Sequence, residues 1–297
     1  RQEPAGRHAV GGMSGWRSSL EVFALDRDAS RVLLRCDRLI EAPNWHPDGW
    51  FLVNGGGHLW RADARGLWRI DTGELHRCNN DHGFLPDGRI ILSCQSDSGA
   101  GIHVLERNGP RDLGLARPSW WHSAHGNRIA YACARGGDRV VRVAVLDMAS
   151  GVERVLTPGL AHHDGPDFSA CGEFIWFNSD ATGQAQIWRM RADGSEAAPV
   201  FRDANVNWFP HPSPCGRHVL YLAYPPGTQG HPRDRSVQLW LMDINGGNRR
   251  RVVDLHGGQG SLNVPCWAPD GSAFAFMRYA REQPAPGRAP VQPVNGR

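Results

Sequence analysis

Side chains that can bind ligands or transfer protons are concentrated in six short segments of this 297-residue chain. The segments mix imidazole, carboxylate and amide groups with aromatic rings, and most directly precede a run of alternating apolar residues. They cover residues 79–82, 119–122, 162–167, 207–211, 224–234 and 257–263. Imidazole titrates near neutral pH and a carboxylate can orient it, so any chemistry is expected in these segments.

One chemistry open to them is metal binding. His163, His211 and His231 would supply imidazole nitrogens and Gln259 an amide oxygen, a mixed set that suits Mn, Fe, Ni or Zn. No closely spaced motif such as His-Glu-x-x-His supports this set. The sequence therefore predicts one divalent metal if the fold brings the four residues together, and otherwise no cofactor.

The competing chemistry is proton transfer without a metal. His82 or His122 would be the acid or base, steered by Asp81 or Asp164. A serine hydrolase is disfavoured because no Gly-x-Ser-x-Gly motif is present. All 33 basic residues are arginine, which excludes a lysine base or Schiff base.

The same segments carry groups that suit a sugar. Indole rings offer flat apolar faces, and amides beside them can bond hydroxyl groups. An arginine can pair with a carboxylate, so the favoured ligand is a sugar acid or an oligosaccharide. The candidate substrate contacts are Asn80, Trp120, Trp121, Asn207, Trp208, Arg233 and Asn263.

The elements that must position these residues form a repeat. Six times, a polar or aromatic stretch leads to a turn that ends in glycine, and an alternating apolar strand follows. The turn glycines are Gly49, Gly88, Gly126, Gly172, Gly216 and Gly271, which lie 38 to 55 residues apart. In most repeats a third and a fourth short strand come next. This period is typical of four-stranded blades, so the sequence predicts an all-β, six-bladed β-propeller.

The chain ends indicate how the ring closes. Residues 19–25 and 31–35 match strands three and four of a blade, and 264–268 and 272–279 match strands one and two. We therefore expect the N-terminal strands to complete the last blade, which removes open sheet edges. The predicted organisation is an N-terminal extension over 1–18, one propeller domain over 19–281 and a Pro-rich C-terminal tail over 282–297.

In such a ring the first strand of each blade lines the central channel. The segments that lead into these strands then meet at one end of the axis. We predict a polar pocket there, walled by His82, His122, His163, His211, His231 and Gln259.

The composition of the chain limits which binding partners and which cellular location are expected. The formal net charge is only +3, with no long run of one sign, so a nucleic-acid partner is not expected. No apolar run has membrane-spanning length, and membrane insertion is not expected. The seven cysteines are scattered singly, which favours reduced thiols and the cytoplasm. A periplasmic location after signal-peptide removal is the alternative.

The repeats resemble the WD40-like repeats of TolB-type propellers over Ser19 to Arg281. That scaffold hosts enzymes and interaction proteins alike, so a non-catalytic propeller that holds a protein partner is the alternative function. The polar pocket is also similar in kind to that of oligogalacturonate lyases. That resemblance implies an axial divalent metal and cleavage of uronates by β-elimination, with His82 or His122 taking the proton. The Gln-x-x-His-x-His run of those lyases is missing, since Gln259 is followed by Asn263 and no histidine.

Overall fold

The structure is a computed structural model that describes residues 15–281. It contains 23 β-strands and one short 3-10 helix at Gln259–Ser261. The strands form six antiparallel sheets arranged as blades, which confirms the all-β six-bladed propeller. The predicted Pro-rich tail and most of the predicted N-terminal extension lie outside the described residues.

Five blades have four strands each, joined in chain order. Blade 1 contains β3 (Glu41–Trp45), β4 (Phe51–Gly55), β5 (His58–Asp63) and β6 (Gly66–Arg69). Blade 2 contains β7 (Cys78–Phe84), β8 (Ile90–Ser96), β9 (Gly99–Glu106) and β10 (Gly109–Asp112). Blade 3 contains β11 (Ser119–His125), β12 (Arg128–Ala134), β13 (Val141–Asp147) and β14 (Val152–Val155). Blade 4 contains β15 (His163–Phe168), β16 (Phe174–Ser179), β17 (Gln186–Arg191) and β18 (Ala198–Pro199). Blade 5 contains β19 (Val206–Pro212), β20 (His218–Tyr224), β21 (Arg235–Asp243) and β22 (Arg250–Gly257).

Blade 6 joins the two ends of the described chain. β1 (Trp16–Ala24) lies between β2 (Ala29–Cys36) and β23 (Ala273–Arg281), and it pairs with β23 over its whole length. Phe23 stacks on Phe274 with ring centroids 5.0 Å apart. The N-terminal strands therefore close the ring as predicted, and β1 begins at Trp16, before the expected boundary at Ser19.

The inner edge of blade 6 differs from the prediction. Instead of a strand over 264–268, only a single bridge joins Trp267 to Phe274. Two backbone bonds flank it, from Ala268 N to the Ala273 carbonyl at 2.8 Å and from Ala275 N to the Cys266 carbonyl at 2.9 Å. The chain reaches this edge through the 3-10 helix Gln259–Ser261 and the bends that follow it over 262–264, so it meets β23 only at these points.

The turns between the first two strands follow the predicted chemistry. In blade 1 the Gly49 N–H donates to the His46 carbonyl over 2.9 Å, and Gly49 has φ of +83°. Gly88 in blade 2 repeats this with φ of +84°. Glycine reaches this backbone region without a steric cost, which is why the turns end in glycine.

Each inner strand of blades 1 to 5 contains a β-bulge. The register shifts lie between Glu41 and Asn44, Cys78 and His82, Trp121 and Ser123, Asp164 and Asp167, and Trp208 and His211. A bulge re-aims the side chains around it and bends the strand. The segments predicted to carry chemistry overlap four of these five bulges, so the bulges determine which side chains reach the axis.

Closure of the ring should dominate stability. Leu20 in β1 is fully buried, so Leu20→Ala is expected to lower the free energy of unfolding by about 2–5 kcal/mol. The matched control is Leu160→Ala, because Leu160 is 83% exposed and its truncation should change stability by about 0.5 kcal/mol or less. Urea denaturation followed by tryptophan fluorescence measures both. Equal effects of the two substitutions would show that β1 does not hold the ring.

Candidate functional site

The candidate site lies at the end of the axis where the inner strands begin. Two cavities lie there, and we name each by one of its lining residues. The Trp208 cavity has a volume of about 380 Å³ and is lined by Asp164, Asn178, Gln184, Trp208 and His231 among others. The Arg233 cavity has about 690 Å³ and its lining includes Glu41, Asn80, Asp81, Arg233 and Gln259.

Asp164 lies between two imidazole rings at the boundary of the Trp208 cavity. His122 Nε2 is 3.2 Å from Asp164 Oδ1, and His231 Nε2 is 3.7 Å from Asp164 Oδ2. Burial alone would raise the pKa of Asp164, but the hydrogen bond and charge of His122, with the charge of His231, lower it to about 2. Asp164 is therefore ionised at neutral pH.

The contact with Asp164 shifts the pKa of His122 in the opposite direction. Burial alone would lower the pKa of His122, but the hydrogen bond to Asp164 and the charges of Asp164, Asp81 and Asp167 raise it above its usual value. Its other nitrogen, Nδ1, is buried and has no hydrogen-bond partner in the protein. His122 thus has one nitrogen held by a carboxylate and one without a partner, and its ring lies behind the cavity walls, since it lines neither cavity.

Asp81 is the second carboxylate of the site. Asn263 Nδ2 donates to Asp81 Oδ1 over 2.7 Å. Burial raises the pKa of Asp81, although the charge of His122 and the hydrogen bond from Asn263 oppose this, and the charge of Asp164 raises it further. Asp81 and Asp164 line different cavities but interact electrostatically, and their environments push their pKa values apart, as in acid–base pairs of enzymes.

Arg233 and Glu41 form the charged wall of the second cavity. Arg233 Nε lies 2.8 Å from Glu41 Oε1, and the Arg233 side chain is 47% exposed while that of Glu41 is 5% exposed. Burial raises the pKa of Glu41, against the opposing charge of Arg233. The sequence did not identify Glu41, because a single glutamate at the start of an apolar strand gives no signal of its partner 192 positions away.

His82 lies below the cavities in a layer of buried polar groups. Its Nδ1 is 2.8 Å from Asn44 Oδ1 and its Nε2 is 3.1 Å from Asn54 Oδ1. Asn54 in turn donates to Asn80 Oδ1 over 2.7 Å. Burial lowers the pKa of His82 to about 3, so the ring is neutral. A neutral ring has a single N–H and donates to one of these two amide oxygens, and both nitrogens are enclosed by protein groups, so His82 supports the wall that carries Asn80.

His211 is held in the same way. Its Nδ1 is 2.8 Å from Asp167 Oδ2 and its Nε2 is 3.2 Å from the Leu262 carbonyl oxygen. Its own carbonyl accepts a bond from Trp267 Nε1 over 2.8 Å. Burial raises the pKa of Asp167, against the hydrogen bond and charge of His211. This pair links the inner strands of the neighbouring blades 4 and 5.

The four predicted metal ligands do not share a site. His231 lines the Trp208 cavity and Gln259 the Arg233 cavity, whereas both nitrogens of His211 are engaged by protein groups. His163 lines neither cavity and lies against Phe177, with ring centroids 5.8 Å apart. Within residues 15–281, no group of three or more His, Cys, Asp or Glu side chains is arranged to hold a metal ion.

Three further predicted contacts lie away from the two cavities. Asn207 is buried and donates to Gln186 Oε1 and Asp203 Oδ1, each over 3.0 Å. Trp121 lines a smaller cavity of about 290 Å³ at the opposite end of the axis. Trp120 is half-buried and lines neither cavity. Asn80, Trp208 and Arg233 line the cavities, and Asn263 holds Asp81 beside them.

Fold and site together define a six-bladed β-propeller with a polar pocket at one end of its axis. An uncharacterized protein of Agrobacterium fabrum is 42% identical over 283 residues, which cover 92% of this chain and 96% of the relative. The solved structure of a TolB candidate from Agrobacterium tumefaciens is also 42% identical, covers 90% of this chain and 99% of that chain, and has a TM-score of 0.86. The chain therefore belongs to the TolB-like propeller family, as the repeats indicated.

More distant structures share the fold alone. TolB from Acinetobacter baumannii has a TM-score of 0.62 at 17% identity, over 84% of this chain and 65% of that chain. An oligogalacturonate lyase in complex with manganese has a TM-score of 0.52 at 11% identity, over 87% of this chain and 78% of that chain. No protein-family model matches the chain. Within the described part of the chain, no helix is long and apolar enough to cross a membrane.

Because His82 is buried, the free energy of unfolding should depend on pH in the acid range. The unfolded chain binds a proton at His82 with a pKa near 6.5, but the folded protein binds it only near pH 3. The contribution of His82 to stability is thus full above about pH 6.5 and falls by about 5 kcal/mol as the pH drops towards 3.

His82→Gln removes this titration, so its unfolding free energy should fall less steeply between pH 7 and 4 (~1.4 kcal/mol per pH unit in the wild type from this group alone). Urea titrations at stepped pH measure the slope. The control is His76→Gln, since His76 is exposed and its loss should leave the wild-type slope. A wild-type slope in His82→Gln would contradict the neutral, buried state of His82.

Proposed function

We propose that the protein binds a sugar acid, as a monomer or short oligomer, across the Trp208 and Arg233 cavities and transfers protons on it. The observation that carries this proposal is a pair of carboxylates that both interact with the charge of His122: ionised Asp164 in the wall of the Trp208 cavity, and Asp81, with a raised pKa, in the wall of the Arg233 cavity. A scaffold has no need of such a pair at an open cavity, whereas acid–base chemistry does.

The Trp208 cavity supplies the contacts that a sugar ring needs. The Trp208 ring lies 4.4 Å from the His231 ring, centroid to centroid, and both line the cavity. Amide and carboxylate groups of Asn178, Gln184 and Asp164 line the remaining wall. Aromatic faces pack on the C–H side of a sugar while such polar groups bond its hydroxyls.

The Arg233 cavity supplies the positive charge for the acid group. Arg233 pairs with Glu41 through Nε, and a guanidinium has five N–H donors, so it can engage a ligand carboxylate as well. Arg38 also lines this cavity. A uronate that spans the two cavities would therefore place its carboxylate beside Arg233 and its ring beside Trp208.

The proton chemistry on this proposal uses His122 and Asp81. His122 in its neutral form, oriented by Asp164, takes the proton next to the substrate carboxylate, so the rate should rise with pH as the raised pKa of His122 is passed. Asp81, whose pKa is raised by burial, is the group placed to give a proton to the leaving oxygen. The residues predicted as metal ligands do not fit one ion, so no step is assigned to a metal.

Within residues 15–281, the exposed large apolar residues do not support the interaction-protein alternative. The large exposed apolar residues within 15–281 are Val32, Trp68, Val152, Val155 and Leu160. They lie on the outer strands of three different blades or on a loop, and scattered apolar residues of this kind are normal on a monomer. No observation of the described residues favours a protein-binding face over the axial pocket.

Binding can be tested by calorimetry with a galacturonate trimer and an uncharged galactose trimer. We expect the wild type to prefer the acidic ligand. The test variant carries both Glu41→Gln and Arg233→Gln, so that neither charge of the ion pair is left without its partner. We expect this variant to bind the uronate about 10- to 100-fold more weakly. Asp63→Asn with Arg65→Gln removes a surface ion pair of the same 2.8 Å length and is the matched control. Equal affinity for both sugars, or none for either, would refute the proposal.

Proton transfer is tested separately by the ultraviolet absorbance of an unsaturated uronate product. His122→Gln should lower the rate by at least about 100-fold while uronate binding persists, because the base is lost and the pocket remains. His125→Gln is the control, as His125 lines the opposite end of the axis. If the uronate binds but no product forms in the wild type, the protein is a binding protein and the catalytic part of the proposal fails.

A further inference from the structure

Two cysteines face each other across neighbouring strands of blade 2. Cys78 in β7 is directly opposite Cys94 in β8. The Gln95 N–H donates to the Arg77 carbonyl over 3.0 Å, and the Cys78 N–H turns away to the Gly57 carbonyl, also over 3.0 Å. This pattern makes Cys78 and Cys94 a non-hydrogen-bonded pair, the closer of the two antiparallel kinds, with Cα atoms about 4.5 Å apart. A disulfide spans Cα separations of about 4.4–6.8 Å.

The surroundings of Cys94 favour its thiolate. Its partner on the other side, in β9, is Gly101, and the guanidinium of Arg117 occupies the space that a side chain at 101 would take. A Cβ built on Gly101 would lie 2.6 Å from Arg117 Cζ. A hydrogen bond from Cys78, with the charges of Arg77 and Arg117, lowers the pKa of Cys94 below its usual value, against the opposing effect of burial. Thiolates beside cations are the cysteines that react with oxidants.

The pair is buried but borders open space. Cys78 and Cys94 are 6% and 4% exposed, and Cys78 is part of the lining of the Arg233 cavity. A small oxidant in that cavity therefore reaches Cys78 and lies one side chain away from Cys94. All seven cysteines lie within the described residues and are free thiols, and none of the other five is opposite a cysteine in the strand register.

We propose that Cys78 and Cys94 are a redox site that closes to a reversible disulfide on exposure to a peroxide. The Cys94 thiolate attacks one peroxide oxygen, the O–O bond breaks, and hydroxide leaves to give a sulfenic acid at Cys94. The Cys78 sulfur then attacks the Cys94 sulfur and loses its proton, and the sulfenic oxygen leaves as water. The two thiols lose two electrons in all, the peroxide gains them, and an external dithiol reverses the reaction.

The disulfide would act on the wall of the candidate site. β7 starts at Cys78, and the bulge that follows carries Asn80 and Asp81 into the Arg233 cavity. A covalent tie between Cys78 and β8 fixes the start of this bulge. The site needs only the two thiols, so it stands whether or not a sugar acid is the ligand.

The experiment uses the full chain and peptide mapping. The protein is treated with hydrogen peroxide, unfolded, alkylated and cut with trypsin, which cleaves after Arg77, Arg89 and Arg107. Cys78 and Cys94 then fall in separate peptides, 78–89 and 90–107, with one cysteine each. We expect these two peptides as one linked species in most of the protein, lost on treatment with dithiothreitol.

Two variants and one condition keep the test decisive. Cys94→Ser must abolish the linked species, and Cys133→Ser, which removes another buried cysteine, must leave it. The same oxidation in urea should scatter the cross-links among several cysteines. The proposal is overturned if both peptides stay alkylated in the folded protein, while exposed Cys171 is oxidised, or if Cys78 and Cys94 link only in urea.

Discussion

The pairing of β1 with β23 is the constraint on which the rest of the structure depends. A blade is a twisted four-stranded sheet with an apolar face on each side, and it buries both faces only when it has a neighbour on each side. The ring achieves this for every blade once its two ends share a sheet, and Leu20 and Phe23 of β1 are buried in that joint. The axial site exists because closure fixes the distance between opposite blades.

For the buried histidines on the axis, the protonation state depends on whether a carboxylate lies beside the ring. His82, surrounded by amide oxygens, is neutral because no carboxylate compensates its desolvation. His122 is equally enclosed but lies against Asp164, so its proton is favoured instead. The same residue type therefore supports the wall in one blade and belongs to the candidate acid–base group in the next.

The inner strand of blade 2 joins three of these features. β7 carries Cys78 at its start, Asp81 in its bulge and His82 directly after it. One short strand thus borders the thiol pair, the Arg233 cavity and the buried polar layer. The proposed disulfide would therefore form within three residues of Asp81, a lining residue of the Arg233 cavity.

The sequence by itself determined the architecture, since periodic turn glycines and alternating strands specify blades, and the unpaired patterns at its ends specify closure. It also placed the polar segments at one end of the axis. Tertiary structure alone decided which side chains meet there. A bulge in each inner strand of blades 1 to 5 re-aims single residues, so His122, His231 and Asp164 come together while His163 and Asn207 do not. Glu41 pairs with Arg233 and Asn54 contacts His82 because the packing of the blades brings these distant residues together. Their spacing along the chain does not predict such contacts.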